Sequence, residues 1–113
     1  MHEYSIAAAL ADRVREQIEL HRLRRVSVVR LRIGRLRGVV VENLSMFLGL
    51  LLEGTAAAGA KLEVDEVPIR LSCPACGMVA EAPEVWALHC PRCMGPAEIV
   101  AGKELTFVSL EAE

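Results

Sequence analysis

The sequence has few aromatic residues and no long hydrophobic run. Only 4% of its 113 residues are aromatic, namely Tyr4, Phe47, Trp86 and Phe107. The longest strongly apolar stretch, Leu44 to Leu52, contains Ser45 and Gly49 and is far shorter than the roughly 20 residues that span a bilayer. No basic leader followed by an apolar run and a small-residue cleavage site opens the chain. We therefore expect a cytoplasmic protein with no membrane partner.

Basic residues are concentrated near the amino terminus. Up to Val40 there are nine arginines and four acidic residues, whereas the remainder has four basic and eleven acidic residues, which leaves a net charge of −2. A basic face can mark a nucleic-acid site, but no aromatic residue able to stack on bases lies among these arginines. Arg13 and Arg15 alternate with acidic residues, as on a solvated helix surface. We therefore expect that nucleic acid is not a partner.

An interval of four residues between apolar positions predicts the first helix. The helix is expected from Ser5 to about Leu23, and its apolar stripe consists of Ile6, Leu10, Val14 and Ile18. A second helix is predicted from about Glu42 to Glu53, with Gly54 placed to end it. Because its apolar residues almost encircle it, the second helix is expected to be largely buried.

Alternating apolar positions predict three strands, at Val26–Ile33, Lys61–Val67 and Leu105–Leu110. In the first strand, Val29, Leu31 and Ile33 fall on one face, which is expected to be buried. The cysteine segment interrupts the chain between the second and third strands. The sequence therefore predicts an α/β (α+β) fold with a small sheet of about three strands and two helices. Residues 1–68 and 101–113 would form this domain, and residues 69–100 an inserted zinc-ribbon-like domain.

The four cysteines have the spacing C-x2-C-x13-C-x2-C. Each pair allows a tight turn that aims two sulfurs at one point, and two turns complete a tetrahedron with Zn–S bonds of about 2.3 Å. Gly77 directly follows the first pair, where a positive φ is useful. Met94 takes the matching place after the second pair, so that turn is expected to be less regular. One structural Zn(II) ion is predicted to bind Cys73, Cys76, Cys90 and Cys93.

Other uses of the four cysteines fit the sequence less well. Disulfides suit secreted chains, and a thioredoxin-like redox site calls for one C-x-x-C beside a βαβ pattern. A catalytic zinc ion keeps an open coordination position, which four thiolates do not leave. Iron–sulfur ligation by four cysteines is chemically allowed and stays open. The sequence does not decide whether His89, beside Cys90, contributes to either metal site.

The chain begins Met1-His2-Glu3. A free α-amine, the His2 amide nitrogen and the His2 imidazole can close two adjoining chelate rings on one ion, and the Glu3 amide or carboxylate can fill a fourth position. Square-planar, nitrogen-rich sites favour Ni(II) or Cu(II). Histidine at position two is also found by accident in frayed termini, so this motif alone is only a hypothesis.

Taken together, the motifs resemble those of the HypA/HybF family of hydrogenase maturation nickel metallochaperones. The resemblance covers essentially the whole chain. It rests on Met1-His2-Glu3, the loop from Gly34 to Glu42, the two cysteine pairs, and Gly102-Lys103-Glu104-Leu105 near the end.

The resemblance implies a nickel carrier without catalytic residues, and not an enzyme. His2 would be the nickel ligand, with Met1 and Glu3 as backbone or secondary ligands, and the four cysteines would hold zinc. Ni(II) would be transient and Zn(II) structural. The implied partners are a nickel-handling GTPase and the large subunit of a [NiFe]-hydrogenase; urease as a recipient and a homodimer are left open. The alternative is a zinc-ribbon module that binds protein or nucleic acid, in which His2 would be incidental.

Overall fold

The computed structural model of the chain describes residues 2–82, 89–90 and 92–113. The elements follow in the order α1 (His2–His21), β1 (Val26–Gly34), a 3₁₀ turn (Arg35–Arg37), α2 (Val41–Leu51), β2 (Lys61–Val67), β3 (Arg70–Ser72), β4 (Val79–Glu81), β5 (Glu98–Ala101) and β6 (Leu105–Ala112). One three-stranded sheet has the order β2-β1-β6, and a second has the order β4-β3-β5. The predicted α+β class, with two helices and small three-stranded sheets, is confirmed.

Contacts divide the chain into two compact units. The first comprises residues 1–31, 39–64 and 107–113, and the second comprises residues 32–38 and 65–106. The first unit contains α1 and α2, and the second contains the sheet formed by β3, β4 and β5. The predicted nickel-binding and zinc-binding domains are defined by their metals, so their boundaries at 68/69 and 100/101 stay predictions.

The first helix begins at His2 instead of Ser5 and ends at His21 instead of Leu23. Its buried residues, at helical spacing, are Ala7, Leu10, Ala11 and Val14. Arg22 then adopts a left-handed φ of +51°, and the Leu23 N–H donates to the Ile18 carbonyl at 3.0 Å. A left-handed residue followed by such a hydrogen bond is a common way to end a helix, which explains the earlier stop.

The second helix is less buried than predicted. Leu44 and Leu48 are buried against α1, whereas Met46 and Leu50 keep 55% and 58% of their surfaces exposed. The expectation of a largely buried helix is therefore wrong, because the structure covers only one of its two apolar faces. Within the described residues, neither helix has the length and apolar character needed to cross a membrane.

The first strand alternates as predicted, with Val29, Leu31 and Ile33 buried. The arginines between them form ion pairs: Arg30 lies 3.0 Å from Glu63 and 2.6 Å from Glu111, and Arg32 lies 3.1 Å from Asp65. The hydrogen bonds from Glu63 and Glu111 raise the pKa of Arg30. Part of the positive charge of the amino-terminal region is thus neutralised within the chain.

The described part of the second unit contains a hydrophobic cluster. Ile69, Leu71 and Ala82 are buried, and three partly buried residues pack against them, namely Leu36, Ala97 and Ile99. Strand β3 pairs antiparallel with both β4 and β5, so that Leu71 lies between Ala80 and Ile99.

Candidate metal centres

The four cysteine sulfurs converge in the second unit. All four Sγ atoms lie within 4.8 Å of one another. The Sγ atoms of Cys73 and Cys93 are 3.4 Å apart, and those of Cys76 and Cys90 are 3.5 Å apart. Since a tetrahedral ion with Zn–S bonds of about 2.3 Å separates its sulfurs by about 3.8 Å, this set fits one four-coordinate zinc ion. It leaves no open coordination position.

Backbone hydrogen bonds define the turn of the first cysteine pair. The Cys73 N–H donates to the Met78 carbonyl at 2.8 Å, and the Gly77 N–H donates to the Cys73 carbonyl at 2.8 Å. Gly77 has a φ of +73°, the left-handed conformation that glycine adopts without steric cost. The first turn is therefore as the sequence predicted.

The second turn repeats this pattern with a methionine in the glycine position. The Cys90 N–H donates to the Gly95 carbonyl at 2.9 Å, and the Met94 N–H donates to the Cys90 carbonyl at 2.8 Å. Met94 has a φ of +61°, close to that of Gly77, and its side chain is exposed. The expectation of a less regular second turn is therefore wrong. The hydrogen bonds of the turn outweigh the cost of about 1–2 kcal/mol for placing a residue other than glycine in the left-handed conformation.

The first cysteine of each pair is buried and the second is exposed. The backbone N–H of Cys93 lowers the pKa of Cys90 to about 6, and that of Cys76 lowers the pKa of Cys73. For Cys76, the Met78 backbone favours the thiolate, but hydrogen bonds with the other sulfurs outweigh it and raise the pKa to about 11. The two buried sulfurs are therefore those best prepared to act as thiolates, the form that binds a metal.

His89 does not join the sulfur cluster, which consists of the four cysteines. The residue is exposed and forms an isolated antiparallel bridge with Pro96. The structure thus places His89 at the edge of the second turn, and a role for it toward either metal stays undecided.

His2 and Glu3 form the start of α1. His2 Nε2 lies 3.3 Å from Glu3 Oε2, and the same carboxylate oxygen accepts a hydrogen bond from the Val40 N–H at 3.4 Å. Val40 directly precedes α2, so Glu3 links the start of one helix to the start of the other. Met1 lies outside the described residues.

This arrangement is chemically suited to a transition-metal ion. The His2 side chain is 56% exposed, so its imidazole is accessible. The first amides of a helix have no acceptor within the helix, which leaves them available for coordination. The partial positive charge of a helix start opposes a cation, and the Glu3 carboxylate offsets that charge. No sequence signal pointed to the Val40 amide, because it is separated from Glu3 by 37 positions.

The fold and the four-cysteine cluster together define a small metal-binding protein. A family model described as "Hydrogenase/urease nickel incorporation, metallochaperone, hypA" matches residues 1–112. The chain therefore belongs to the HypA family, whose members are metallochaperones and not enzymes.

Relatives and solved structures agree with this assignment. Two relatives named "Hydrogenase maturation factor HypA" are each 39% identical. The protein from Roseiflexus sp. (strain RS-1) matches over 100% of this chain and 93% of its own length, and that from Chloroflexus aurantiacus over 98% of each. The fold is similar to "Solution structure of HypA protein" (TM-score 0.71, 22% identity, covering 100% and 97% of the two chains). It is also similar to the Ni metallochaperone HypA from Helicobacter pylori (TM-score 0.63, 20% identity, covering 97% and 96%).

Proposed function

We propose that this protein binds Ni(II) at its amino terminus and delivers the ion to the large subunit of a [NiFe]-hydrogenase during maturation. Family membership supports nickel handling in hydrogenase maturation. The observation that carries the site assignment is the accessible His2 imidazole, 3.3 Å from the Glu3 carboxylate at the start of α1.

In the proposed nickel site, the His2 imidazole is the principal ligand. The His2 amide and the Met1 amine supply further nitrogens, and Glu3 supplies either its amide or its carboxylate. Such nitrogen-rich sets favour Ni(II) or Cu(II), and the family's role in nickel incorporation favours Ni(II) here. Because His2 is exposed, the ion can leave by exchange of ligands with a recipient while the core stays packed.

The four cysteines are proposed to hold one structural Zn(II) ion. Their residue type and converging sulfurs fit zinc. A bound ion would supply cross-links between the two turns. The family match favours the carrier over a stand-alone zinc-ribbon module.

The proposed partners follow from what the chain does not supply. Its sequence contains no phosphate-binding glycine loop with the required lysine, so nucleotide chemistry would come from a nickel-handling GTPase. We place this exchange in the cytoplasm. A urease recipient belongs to the same proposal, since the description of the family model names urease beside hydrogenase.

Isothermal titration calorimetry of untagged protein tests the nickel site. Replacing His2→Ala should abolish high-affinity Ni(II) binding while zinc stays at one ion per chain. His21→Ala is the matched control, since it removes an exposed histidine from the other end of α1. An amino-terminal extension should also weaken binding, because it converts the free amine to an amide. Unchanged nickel affinity in His2→Ala would refute the assignment.

A further inference from the structure

A cleft of about 290 Å³ lies in the second unit, lined by Leu36, Arg37 and Lys103. Small-molecule sites usually have volumes of about 300–1,000 Å³, so this cleft is at or below the lower limit. The volume suits one or two side chains of a protein segment better than a nucleotide or another whole cofactor.

Backbone hydrogen bonds hold the walls of this cleft in place. The Leu36 N–H donates to the Gly102 carbonyl at 2.9 Å, and the Gly34 N–H donates to the Glu104 carbonyl at 2.7 Å. A Cβ atom at Gly34 would lie only 2.0 Å from the Gly102 oxygen, so the close approach of the two segments requires glycine. A preformed site has little left to order when it binds, which lowers the entropic cost of binding.

Arg37 and Lys103 bring two positive charges to the cleft. The Arg37 Nε donates to the Lys103 carbonyl at 2.8 Å, which leaves the two terminal guanidinium nitrogens for a ligand. The neighbouring Glu104 carboxylate accepts a backbone hydrogen bond at 2.7 Å. In the described part of the chain, neither Arg37 nor Lys103 has an acidic partner, whereas Arg30 and Arg32 both have one. Within the described residues, both side chains are therefore able to bind an acidic ligand.

The lining also includes an apolar surface. Leu36 is half-buried and packs against the cluster of Ile69, Leu71 and Ala82. An exposed ion pair contributes only about 0.2–1 kcal/mol, so an apolar contact is needed to add affinity. Among the described residues that line the cleft, none is aromatic.

We propose that this cleft docks an acidic segment of a partner protein. A carboxylate of the segment would bind Arg37 and Lys103, and an adjacent apolar side chain would lie against Leu36. The acidic carboxyl end of a second copy is less suited, because Glu111 already pairs with Arg30 and the Glu113 backbone with Arg24 and Arg25. This proposal does not depend on the nickel assignment.

The test is a titration of zinc-loaded, ¹⁵N-labelled full-length protein, followed by amide chemical shifts. The probes are synthetic hexapeptides that place Asp or Glu beside Leu, Ile or Phe, together with their Asn and Gln counterparts. The acidic peptides should shift the amides of Leu36, Arg37 and Lys103 saturably. Arg37→Gln and Lys103→Gln should each weaken binding about two- to fivefold, as the loss of one exposed ion pair predicts. Lys103→Gln keeps every hydrogen bond described above, because residue 103 takes part only through its backbone carbonyl. Weaker peptide binding by this variant would therefore not be explained by loss of these bonds.

Arg35→Gln is the matched control. It removes the same charge from the same 3₁₀ turn, but Arg35 lines a different depression with Glu66 and Glu81, so affinity should be unchanged. Equal losses in Arg35→Gln and Arg37→Gln would overturn the proposal, as would equal binding of neutral peptides or no shifts with any peptide. Tighter binding of a single-stranded oligonucleotide at these amides, or loss of self-association in Arg37→Gln, would assign the cleft to nucleic acid or to a second copy instead.

Discussion

The two candidate metal centres differ in how far the fold prepares their ligands. Two of the four cysteine sulfurs are buried, and both turns that carry them have the same hydrogen-bond pattern. At the amino terminus, by contrast, the His2 side chain is more than half exposed, and its Nε2 atom lies 3.3 Å from the Glu3 carboxylate. The first arrangement is typical of an ion that is retained, and the second of an ion that is exchanged.

This difference has a structural cause. The cysteine centre lies in the second unit, where a bound ion would cross-link the two turns, so we expect loss of the ion and loss of the fold to be linked. The amino terminus lies on a helix whose packing depends on apolar residues further along, such as Leu10 and Val14. Removal of a bound ion from His2 would therefore leave α1 folded. The following predictions test this contrast.

The largest expected effect comes from removing one buried sulfur. Cys73→Ser should lower zinc from one ion per chain to nearly none and collapse the amide dispersion of residues 65–106, while α1 and α2 keep their signals. Structural zinc contributes on the order of 10 kcal/mol, whereas each buried aliphatic side chain contributes about 1.5–3 kcal/mol. Metal analysis and NMR provide the measurement. The control, Ser72→Ala, should keep the ion. A Cys73→Ser variant that stays folded without zinc would contradict the link between this ion and the fold of the second unit.

A smaller effect is expected at the amino terminus. Glu3→Gln removes the negative charge beside His2 but keeps an oxygen that can accept from the Val40 N–H. Nickel affinity should fall about tenfold, in line with about 1.5 kcal/mol for a charge-assisted hydrogen bond, with zinc content and unfolding unchanged. Calorimetry measures this, with the exposed Glu19→Gln on the same helix as control. An equal loss in both variants would mean that only the overall charge matters.

The two cysteine turns should respond oppositely to exchange of their left-handed residues. An added Cβ at Gly77 would meet no atom within 4 Å, so Gly77→Ala should destabilise the zinc-loaded protein only through its backbone, by about 1 kcal/mol. Met94→Gly should stabilise it by up to about 1 kcal/mol, because its exposed side chain loses little packing. Urea unfolding at fixed free zinc measures both. Changes of the same sign would show that the turns are not equivalent.

The cysteine centre should lose its zinc as the pH falls. Since Cys90 has its pKa lowered from 9.0 to about 6, the associated stabilisation is complete above pH 9 and is lost as the pH falls through about 6. Zinc occupancy at a fixed concentration of a chromophoric chelator should therefore fall most steeply around pH 6 or below. Release of half of the zinc at pH 7.5 or higher would contradict a Cys90 pKa lowered by the Cys93 backbone N–H.

Much of the local structure was predictable because its signals are close together in sequence. The alternation of apolar residues predicted β1 and its buried face, and β2 has the predicted bounds. The exposed face of α2 was not predictable, because Met46 and Leu50 are as apolar as the buried Leu44 and Leu48. Sequence periodicity shows that two faces are apolar but does not show which one another element covers.

By itself, the sequence identified the four cysteines as candidate zinc ligands through their spacing, and His2 as the nickel candidate through its place in the chain. Only the tertiary structure decided that Met94 adopts the conformation of Gly77, that Glu3 reaches Val40, and that Arg37 and Lys103 share a cleft. The physical reason is how far apart the interacting residues lie in the sequence. A C-x-x-C turn closes within a few residues, so its geometry is encoded locally, whereas the other contacts form only when distant segments are brought together by packing.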